Sequence, residues 1–369
     1  MNGFKIQTEI KEFDTFAEFA KEEGLGETDL ILTNEYIYEP TISSLNTGCQ
    51  TLFQEKYGMG EPTDDMVNAI LDDLRKKEFG RIIAVGGGTI IDIAKAVAVA
   101  GKDDSVDDLY DKKDRLVKHH ELAIVPTTCG TGSEVTNIAV INRVSRGVKM
   151  GLTSPVMYAD SAVMITDMLD TLPYKVFATS SIDAMIHSVE SFLSPNGCSI
   201  SRIFSETALR TIVSCWKKSV GADWKEYKAD YLRASNWAGL AFGYAGCAAV
   251  HALSYPLGSV YHIPHGQSNQ LMFEPVMKKY KELKPVGRIN DLEAVLADVL
   301  GGKQEDALYA LYDLMDQILK REPLHTFGVK ESDLPVFAKN VPETQQRLLK
   351  NNYVPLTEEQ ILEIYQTAF

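Results

Sequence analysis

The chain has 369 residues, of which 45% are hydrophobic and 24% are charged, values typical of a globular protein of about two domains. The formal net charge of −14 argues against nucleic acid and anionic membranes as partners. No apolar run is long enough to span a bilayer, and the first residues have no signal-peptide pattern. The five scattered cysteines are typical of reduced thiols, so we expect a cytoplasmic protein.

Four short apolar segments in the first half of the chain predict buried β-strands. They alternate with segments of helical periodicity, and this alternation predicts a largely parallel sheet. Residues 138–142 and 148–152 are separated by a turn and predict an antiparallel hairpin attached to that sheet. The predicted strands are 29–33, 81–85, 121–125 and 161–165, and the predicted helices between them include 66–77 and 90–100.

The strand at 81–85 leads directly into a glycine-rich turn, Gly86 to Thr89, and then into a helix. Glycines let the backbone approach a phosphate, and the N–H groups and positive dipole of the helix start attract the anion. The turn does not match the G-x-G-x-x-G fingerprint, and a tight turn without a ligand is the alternative. Asp92 and Lys95 follow, as a charged pair that is either structural or in contact with a ribose.

A loop rich in hydroxyl groups follows the strand at 121–125. Between Thr127 and Ser133 the chain has four hydroxyl residues and two glycines. Open α/β sheets bind their ligands at the carboxyl ends of parallel strands. This loop therefore predicts a ligand site at the carboxyl end of that strand, with a solvated loop as the alternative.

From residue 173 onward the strand pattern disappears, and helical periodicity predicts an all-α domain. We therefore expect an α/β nucleotide-binding domain at 1–172 and a helical metal-binding and substrate domain at 173–369. The predicted helices are one that begins near 171 and ends by 195, then 231–242, 292–300, 307–319, 342–350 and 357–365.

Four side chains in the helical half form a candidate metal site. Asp183 and His187 are four residues apart and share one face of a predicted helix, and His251 and His265 follow. Imidazole and carboxylate suit Fe, Zn, Ni or Mn, and no cysteine belongs to the set. Four protein ligands leave room for a substrate oxygen. Each pair alone is more often a surface pair or a packing contact.

Glu190 is a candidate to orient one of these metal ligands by a hydrogen bond to its side chain. An exposed carboxylate is the alternative.

Taken together and in this order, the motifs resemble the iron-containing alcohol dehydrogenase family. The resemblance implies an N-terminal nicotinamide-nucleotide domain and an all-helical C-terminal domain with the active site in the cleft between them, an architecture shared with dehydroquinate synthases. It implies one divalent metal, commonly Fe²⁺ with Zn²⁺ as the alternative, on Asp183, His187, His251 and His265. The matching segments are 86–95, 127–134, 183–187, 234–242, 251–258 and 264–266.

By position, the resemblance also assigns residues to the cofactor, NAD. Gly87, Gly88 and Thr89 would face the pyrophosphate, and Thr89 stands where the family usually has Ser. The residues assigned to the ribose and nicotinamide are Asp92, Thr127, Thr128, Thr131 and Lys149.

Asn34 ends the strand at 29–33, where NAD-preferring members often have Asp. Such an Asp accepts hydrogen bonds from the adenosine ribose and repels a 2′-phosphate. Asn34 can bond the ribose but carries no charge, so NADP stays open as an alternative cofactor.

Within the family, the chain is most similar to the 4-hydroxybutyrate dehydrogenases. This implies reversible NAD-dependent interconversion of 4-hydroxybutyrate and succinic semialdehyde. Tyr255 stands where many members have a second His, and Tyr255 and His262 are candidates to bind the substrate carboxylate, with ordinary packing as the alternative. We also expect a homo-oligomer.

Other functions stay open on the sequence. The alternatives are a dehydrogenase of another small alcohol or diol, such as 1,3-propanediol, 1,2-propanediol (the alcohol of lactaldehyde) or butanol. More distant alternatives are a non-redox lyase that uses metal and NAD, and a nucleotide-binding sensor. The lyase would need a cluster of cations for a phosphorylated substrate, which the metal motifs lack.

Overall fold

The computed structural model describes residues 3–369. Backbone contacts group residues 5–172 into an α/β unit and place residues 3–4 with 173–369 in a helical unit. Phe4 belongs to the helical unit because its ring stacks on Phe204, with the ring centroids 5.7 Å apart.

The α/β unit contains a six-stranded sheet in the order β1-β8-β5-β4-β2-β3, and every neighbouring pair is parallel. The four predicted strands are confirmed, and the edge strands β1 and β3 are additional. The strands of this unit are β1 Glu9–Phe13, β2 Asp29–Thr33, β3 Gln50–Phe53, β4 Arg81–Gly86, β5 Glu121–Pro126, β6 Ile138–Arg143, β7 Val148–Thr153 and β8 Ser161–Ile165.

Each face of the sheet is covered by its own apolar core, because successive side chains of a strand point to opposite faces. On β4, Ile82 and Ala84 join one core, whereas Ile83 and Val85 join the other. Burial on both faces explains why the central strands are continuous apolar runs. The helices of this unit are α1 Phe16–Glu22, α2 Glu35–Thr41, α3 Asp64–Leu74, α4 Gly88–Val99 and α5 Val106–Asp111.

The predicted hairpin forms, but its predicted attachment to the parallel sheet is wrong. β6 and β7 pair antiparallel with each other and make a separate two-stranded sheet. Their apolar side chains Ala139, Ile141 and Leu152 pack into the same core as α4. The hairpin therefore buries its apolar face against that core and does not extend the β-ladder.

The helical unit contains ten α-helices within the described residues. They are α6 Tyr174–Leu193, α7 Ser199–Ser219, α8 Lys228–Ala245, α9 Ala249–Tyr261, α10 His265–Leu283, α11 Arg288–Leu300, α12 Ala307–Ile318, α13 Leu334–Thr344, α14 Gln346–Leu349 and α15 Glu358–Ala368. Among residues 3–369, no helix combines the length and the apolar character that crossing a membrane requires.

The helix predicted at 342–350 is wrong, because this segment spans the end of α13 and all of α14. Pro342 was expected near a helix start but lies inside α13. The proline that occupies the first turn is Pro335, where a missing N–H costs nothing.

Candidate metal and nucleotide sites

Three helices of the helical unit bring the four predicted metal ligands together. Asp183 and His187 lie on α6, His251 on α9, and His265 begins α10. Asp183 Oδ1 is 3.4 Å from His251 Nε2 and 3.7 Å from His265 Nε2, and Asp183 Oδ2 is 4.0 Å from His187 Nδ1. The side chain of His265 is 32% exposed, whereas that of Asp183 is 4% exposed. The cluster is thus buried on the α6 side and open at His265.

The potential ligand atoms form two overlapping triplets, in each of which all atoms lie within 4.8 Å of one another. One triplet is Asp183, His251 and His265, and the other is His187, Cys247 and His251. The thiol is a neighbour that the spacing of the ligands did not predict. Burial and the charge of Glu190 raise the pKa of Cys247 well above its usual value. This thiol is therefore protonated when no cation lies beside it.

Stacking fixes the plane of the His187 ring. The Phe242 ring on α8 lies 4.1 Å from it at an interplanar angle of 18°, and the His251 ring lies 4.6 Å from it at 19°. Phe242 belongs to a family-matching segment, but no spacing signal identified it as a neighbour of a ligand. Its position depends on how α8 packs against α6.

Glu190 is buried and orients His251 through a hydrogen bond to its ring, as one of its two interpretations predicted. Its Oε2 accepts from His251 Nδ1 at 2.6 Å and from Ala248 N at 2.9 Å, and its Oε1 accepts from Val250 N at 2.7 Å. Because Nδ1 donates to Glu190, Nε2 is the nitrogen that faces Asp183. One carboxylate thus fixes both the start of α9 and the orientation of the imidazole.

The ionisable groups of the cluster shift one another's pKa values. Burial lowers the pKa of His251, but Glu190 and Asp183 outweigh this effect and raise it to about 9. Burial favours neutral Asp183, but His187, His265 and His251 hold the pKa of that carboxyl well below its usual range.

The donor set fits a divalent metal. His251 Nε2 is buried and has no hydrogen-bond partner among the described residues, and its 3.4 Å distance from Asp183 Oδ1 is long for a charge-assisted hydrogen bond. Unpartnered buried polar atoms are uncommon in native proteins. A cation shared with Asp183 would satisfy this nitrogen. Asn269 Nδ2, one turn along α10, donates to Asp183 Oδ1 at 2.7 Å and orients that carboxylate.

Two glycines near the metal cluster allow neighbouring parts of the chain to pack closely. A Cβ on Gly266 would lie 2.1 Å from the backbone oxygen of Thr179 on α6. Gly246 precedes α9 with φ +79, and a Cβ there would lie 2.2 Å from Asn351 Nδ2. The distance between α10 and α6, and with it the distance between His265 and Asp183, therefore depends on Gly266.

The two candidates for the substrate carboxylate have different surroundings. Tyr255 is 7% exposed, and its ring centroid lies 6.2 Å from that of His265. His262 is exposed, ends α9 with φ +54, and belongs to neither ligand triplet. Tyr255 thus lies beside a predicted metal ligand, whereas His262 is exposed at the end of α9.

In the α/β unit, the glycine-rich turn and the hydroxyl-rich loop adjoin each other. A Cβ on Gly87 would lie 3.2 Å from Thr128 Cγ2, and a Cβ on Gly88 would lie 3.0 Å from Thr131 Cγ2. Thr127 N donates to Gly86 O at 3.1 Å. Thr128 Oγ1 is buried and has no hydrogen-bond partner in the described part of the chain. An unsatisfied hydroxyl beside the N-terminus of α4 fits a polar, anionic ligand such as a nucleotide.

Asp92 and Lys95 form a buried network behind this turn. Asp92 accepts from Ser133 Oγ at 3.0 Å and from Val140 N at 2.9 Å. Lys95 Nζ donates to Ser133 Oγ at 2.8 Å and to Ile138 O at 2.8 Å, and burial lowers its pKa to about 8. The pair thus ties α4 to the loop and to β6. These contacts support its structural interpretation, and contact with a ribose stays a prediction.

Other residues assigned to the cofactor bond to the segment that follows β3. Thr89 Oγ1 donates to Gly60 O at 3.1 Å, and Lys149 Nζ donates to both carboxylate oxygens of Glu61 at 2.7 and 2.8 Å. Asn34 bonds to this segment as well. Their side chains have protein partners where the resemblance implied contacts with NAD.

Two family models match most of the chain. The model described as iron-containing alcohol dehydrogenase matches residues 6–166, and the model for the C-terminal part of the Fe-containing alcohol dehydrogenase family matches residues 177–369. The chain belongs to the iron-containing alcohol dehydrogenase family. The resemblance inferred from the motifs is thereby confirmed.

Relatives within this family match the full chain. The 4-hydroxybutyrate dehydrogenase of Clostridium kluyveri is 45% identical over 372 aligned positions, which cover 100% of both proteins. The structure of an iron-containing alcohol dehydrogenase from Thermotoga maritima is 26% identical, with a TM-score of 0.83 over 99% of each chain. The sulfoacetaldehyde reductase of Bifidobacterium kashiwanohense, solved with NAD⁺, is 23% identical, with a TM-score of 0.86 over 100% of this chain and 98% of that one. The predicted order, an α/β domain followed by a helical domain, is confirmed as the fold of the family.

Proposed function

We propose that this member of the family is an NAD-dependent, metal-assisted dehydrogenase that interconverts 4-hydroxybutyrate and succinic semialdehyde. The full-length identity of 45% to the Clostridium kluyveri 4-hydroxybutyrate dehydrogenase carries the choice of substrate. The ligand cluster and the glycine-rich turn support the reaction class.

In this proposal Asp183, His187, His251 and His265 hold one Fe²⁺ or Zn²⁺ ion. When bound, the cation supplies Lewis acidity that lowers the pKa of an alcohol oxygen. Glu190 keeps Nε2 of His251 turned toward Asp183 at the predicted site. The exposed side of His265 leaves the cluster accessible to a small molecule.

The α/β unit would hold the nicotinamide nucleotide. Gly87 and Gly88 lack side chains where the chain needs to approach the pyrophosphate, and the first N–H groups of α4 are free of intrahelical partners. The Thr128 hydroxyl supplies a donor for the bound nucleotide. A bound nicotinamide would supply the hydride acceptor, and the protein would supply position and electrostatics.

Oxidation of a panel of alcohols, followed at the NADH absorbance band with NAD and with NADP, tests the proposal. We expect the highest kcat/KM for 4-hydroxybutyrate among 4-hydroxybutyrate, 1,3-propanediol, 1,2-propanediol and butanol. A higher value for another alcohol would overturn the substrate and leave the dehydrogenase class standing. Nucleotide binding without any turnover would favour the sensor.

Tyr255 is the residue proposed to donate to the substrate carboxylate, because it is buried beside His265 and carries a hydroxyl donor. Tyr255→Phe removes that donor and keeps the ring. A hydrogen bond to a charged group contributes roughly 1.5–3 kcal/mol, so kcat/KM for 4-hydroxybutyrate should fall about tenfold to a hundredfold.

Turnover of butanol, which has no carboxylate, should change much less in Tyr255→Phe. His262→Ala is the matched comparison, because its exposed position predicts a smaller effect. Equal losses for both substrates in Tyr255→Phe would mean that the tyrosine serves the cluster and not the carboxylate.

The assembly and location of the enzyme are part of the same proposal. We expect a cytoplasmic homo-oligomer with a small-molecule substrate. Sedimentation velocity of the purified protein measures the assembly, and a monomer at micromolar concentration would contradict it.

A further inference from the structure

The carboxylate of Glu55 lies beside Asn34. Asn34 follows β2, at the position where NAD-preferring family members often have an Asp that binds the ribose. Glu55 Oε2 accepts from Asn34 Nδ2 at 2.9 Å, and Glu55 Oε1 accepts from Glu35 N at 2.6 Å. Asn34 is 7% exposed and also donates to Gln54 Oε1 at 3.0 Å. Its remaining polar atom, Oδ1, accepts from Tyr36 OH at 3.3 Å. The polar atoms of Asn34 therefore bond within the protein and hold Glu55 in place.

The topology puts this carboxylate at the nucleotide-binding edge of the sheet. β2 lies between β4 and β3 in a parallel sheet, so the turn after β4, Asn34 after β2 and Glu55 after β3 all follow carboxyl ends on the same edge. The segment containing Glu55 also contacts the start of α4, since Gly60 O accepts from Thr89 Oγ1 at 3.1 Å. In doubly wound sheets that bind NAD, an acidic residue near the second strand accepts from the ribose hydroxyls while the pyrophosphate lies at the glycine turn.

We propose that Glu55 is the residue that selects NAD over NADP in this enzyme. The inference rests on the proposed NAD-dependent function. An ionised carboxylate has lone pairs beyond the two that Asn34 and Glu35 use, and these can accept from a ribose hydroxyl. The same fixed charge repels a 2′-phosphate. Asn34 is a positioning residue, and Glu55 supplies the charge that Asn34 lacks.

The neighbouring cation, Lys56, contacts an aromatic ring. Lys56 follows Glu55 directly, but its Nζ lies 5.1 Å from the centroid of the Phe53 ring, over its face. The same arrangement determines what Asn34→Asp would do. It would place a second carboxylate where Nδ2 now lies, 2.9 Å from Glu55 Oε2, and the two like charges would repel each other.

Binding titrations of NADH and NADPH, followed by nicotinamide fluorescence, test the proposal without any turnover. The proteins are the wild type, Glu55→Gln and the control Glu39→Gln, which removes an exposed carboxylate from α2. We expect the wild type to bind NADH more tightly than NADPH. Glu55→Gln should shift the ratio of the two dissociation constants toward NADPH by at least about tenfold, equivalent to about 1.4 kcal/mol, and Glu39→Gln should not shift it.

The remaining outcomes separate this inference from the proposed function. If Glu55→Gln binds NADH and its ratio is unchanged, the inference is overturned and NAD dependence stands. If the wild type binds neither nucleotide, the inference about Glu55 and the proposed NAD-dependent function are both overturned. Should Glu55→Gln fail to fold by circular dichroism, Asn34→Ala releases the same carboxylate from its donor. It should shift the ratio in the same direction by a smaller factor, and an unchanged ratio there would overturn the inference.

Discussion

The metal cluster of the helical unit and the nucleotide turn of the α/β unit are made from different parts of the polypeptide. The cluster consists of side chains whose ligand atoms converge within 3.4–4.0 Å of one carboxylate. The turn consists of backbone. Its glycines let it pack so closely against the hydroxyl-rich loop that an added Cβ would lie 3.0–3.2 Å from a threonine Cγ2 atom. The four residues assigned to the metal lie together in the structure. Of the residues assigned to the cofactor, Asp92, Thr89 and Lys149 form hydrogen bonds to protein groups.

The difference follows from what each ligand requires. A divalent cation needs particular donor atoms, so the residue types themselves identify the site. A pyrophosphate is bound largely by N–H groups, which every residue but proline has, so residue type there is a weaker guide. If the two sites are independent, a substitution in one should leave ligand binding at the other unchanged.

His251→Ala should have the largest effect, because it removes the imidazole common to both ligand triplets. We expect metal affinity to fall by at least about 100-fold, more than the loss of an outer-shell partner causes, and alcohol oxidation to be lost. NADH affinity should stay unchanged, since this residue belongs to the helical unit. Metal analysis after dialysis and fluorescence titration with NADH measure the two properties.

His262→Ala is the control for that experiment, because it removes an exposed imidazole from the opposite end of the same helix. It should retain the metal content of the wild type. Full metal content in His251→Ala would remove this histidine from the ligand set, and a parallel loss of NADH binding would contradict the independence of the two sites.

Gly266→Ala should weaken metal binding without touching any ligand. The new methyl group would lie 2.1 Å from the Thr179 oxygen, so α10, which carries His265, must move away from α6. We expect a loss of metal affinity of at least about tenfold and a destabilisation of roughly 1–3 kcal/mol from overpacking. Chelator competition and thermal unfolding are the measurements.

Gly258→Ala is the matched substitution on α9. Its Cβ would meet Ile263 O at an ordinary 3.6 Å, and replacing a helical glycine by alanine stabilises by roughly 0.5–1 kcal/mol. We expect unchanged metal affinity in this variant. If both glycine variants behave alike, the close approach at Gly266 does not set the cluster geometry.

Glu190→Gln should have an intermediate effect. It keeps the size of the side chain but removes the charge that accepts from His251 Nδ1. Replacing an outer partner of a ligating histidine typically costs 10–100-fold in metal affinity, so we expect a loss of about that size. Competition with a chromophoric chelator gives the dissociation constant. An unchanged value would show that the backbone donors of α9, and not the imidazole, are what Glu190 serves.

These residues also show where sequence reasoning reached its limit. The central strands β2, β4, β5 and β8 were predicted because burial on both faces makes them apolar throughout. β1 was missed, because an edge strand with the sequence Glu-Ile-Lys-Glu-Phe tolerates exposed charges. β3 is also an edge strand, of four residues. Edge strands such as these have no apolar period to detect.

The candidate site shows the same limit. The spacing of Asp183 and His187 is a local helical signal, whereas His251 and His265 joined the set firmly only through the family resemblance. Cys247 and Phe242 lie beside ligands because separate helices pack there, and no local pattern records that contact. Glu55 was not singled out for the same reason, since its partner Asn34 is 21 residues away.

Thr128→Val should have the smallest effect and tests the nucleotide site alone. The substitution keeps the shape of the side chain and removes a buried hydroxyl that has no partner within residues 3–369. Because no hydrogen bond within the protein is lost, the free energy of unfolding should stay constant or rise by up to about 1–2 kcal/mol. If the hydroxyl serves the bound nucleotide, NADH affinity should fall about threefold to tenfold, as expected for one hydrogen bond.

Thr8→Val offers a matched control in the same α/β unit. Thr8 Oγ1 is likewise buried and unpartnered within the described chain, but Thr8 precedes the edge strand β1, whereas Thr128 follows β5 in the middle of the sheet. Both variants should therefore show the same change in unfolding free energy, and only Thr128→Val should lose NADH affinity. Metal content should match the wild type in both. Equal NADH affinity in the two variants would mean that the unsatisfied hydroxyl at Thr128 is a packing feature, and the nucleotide would then be held by the backbone of the turn alone.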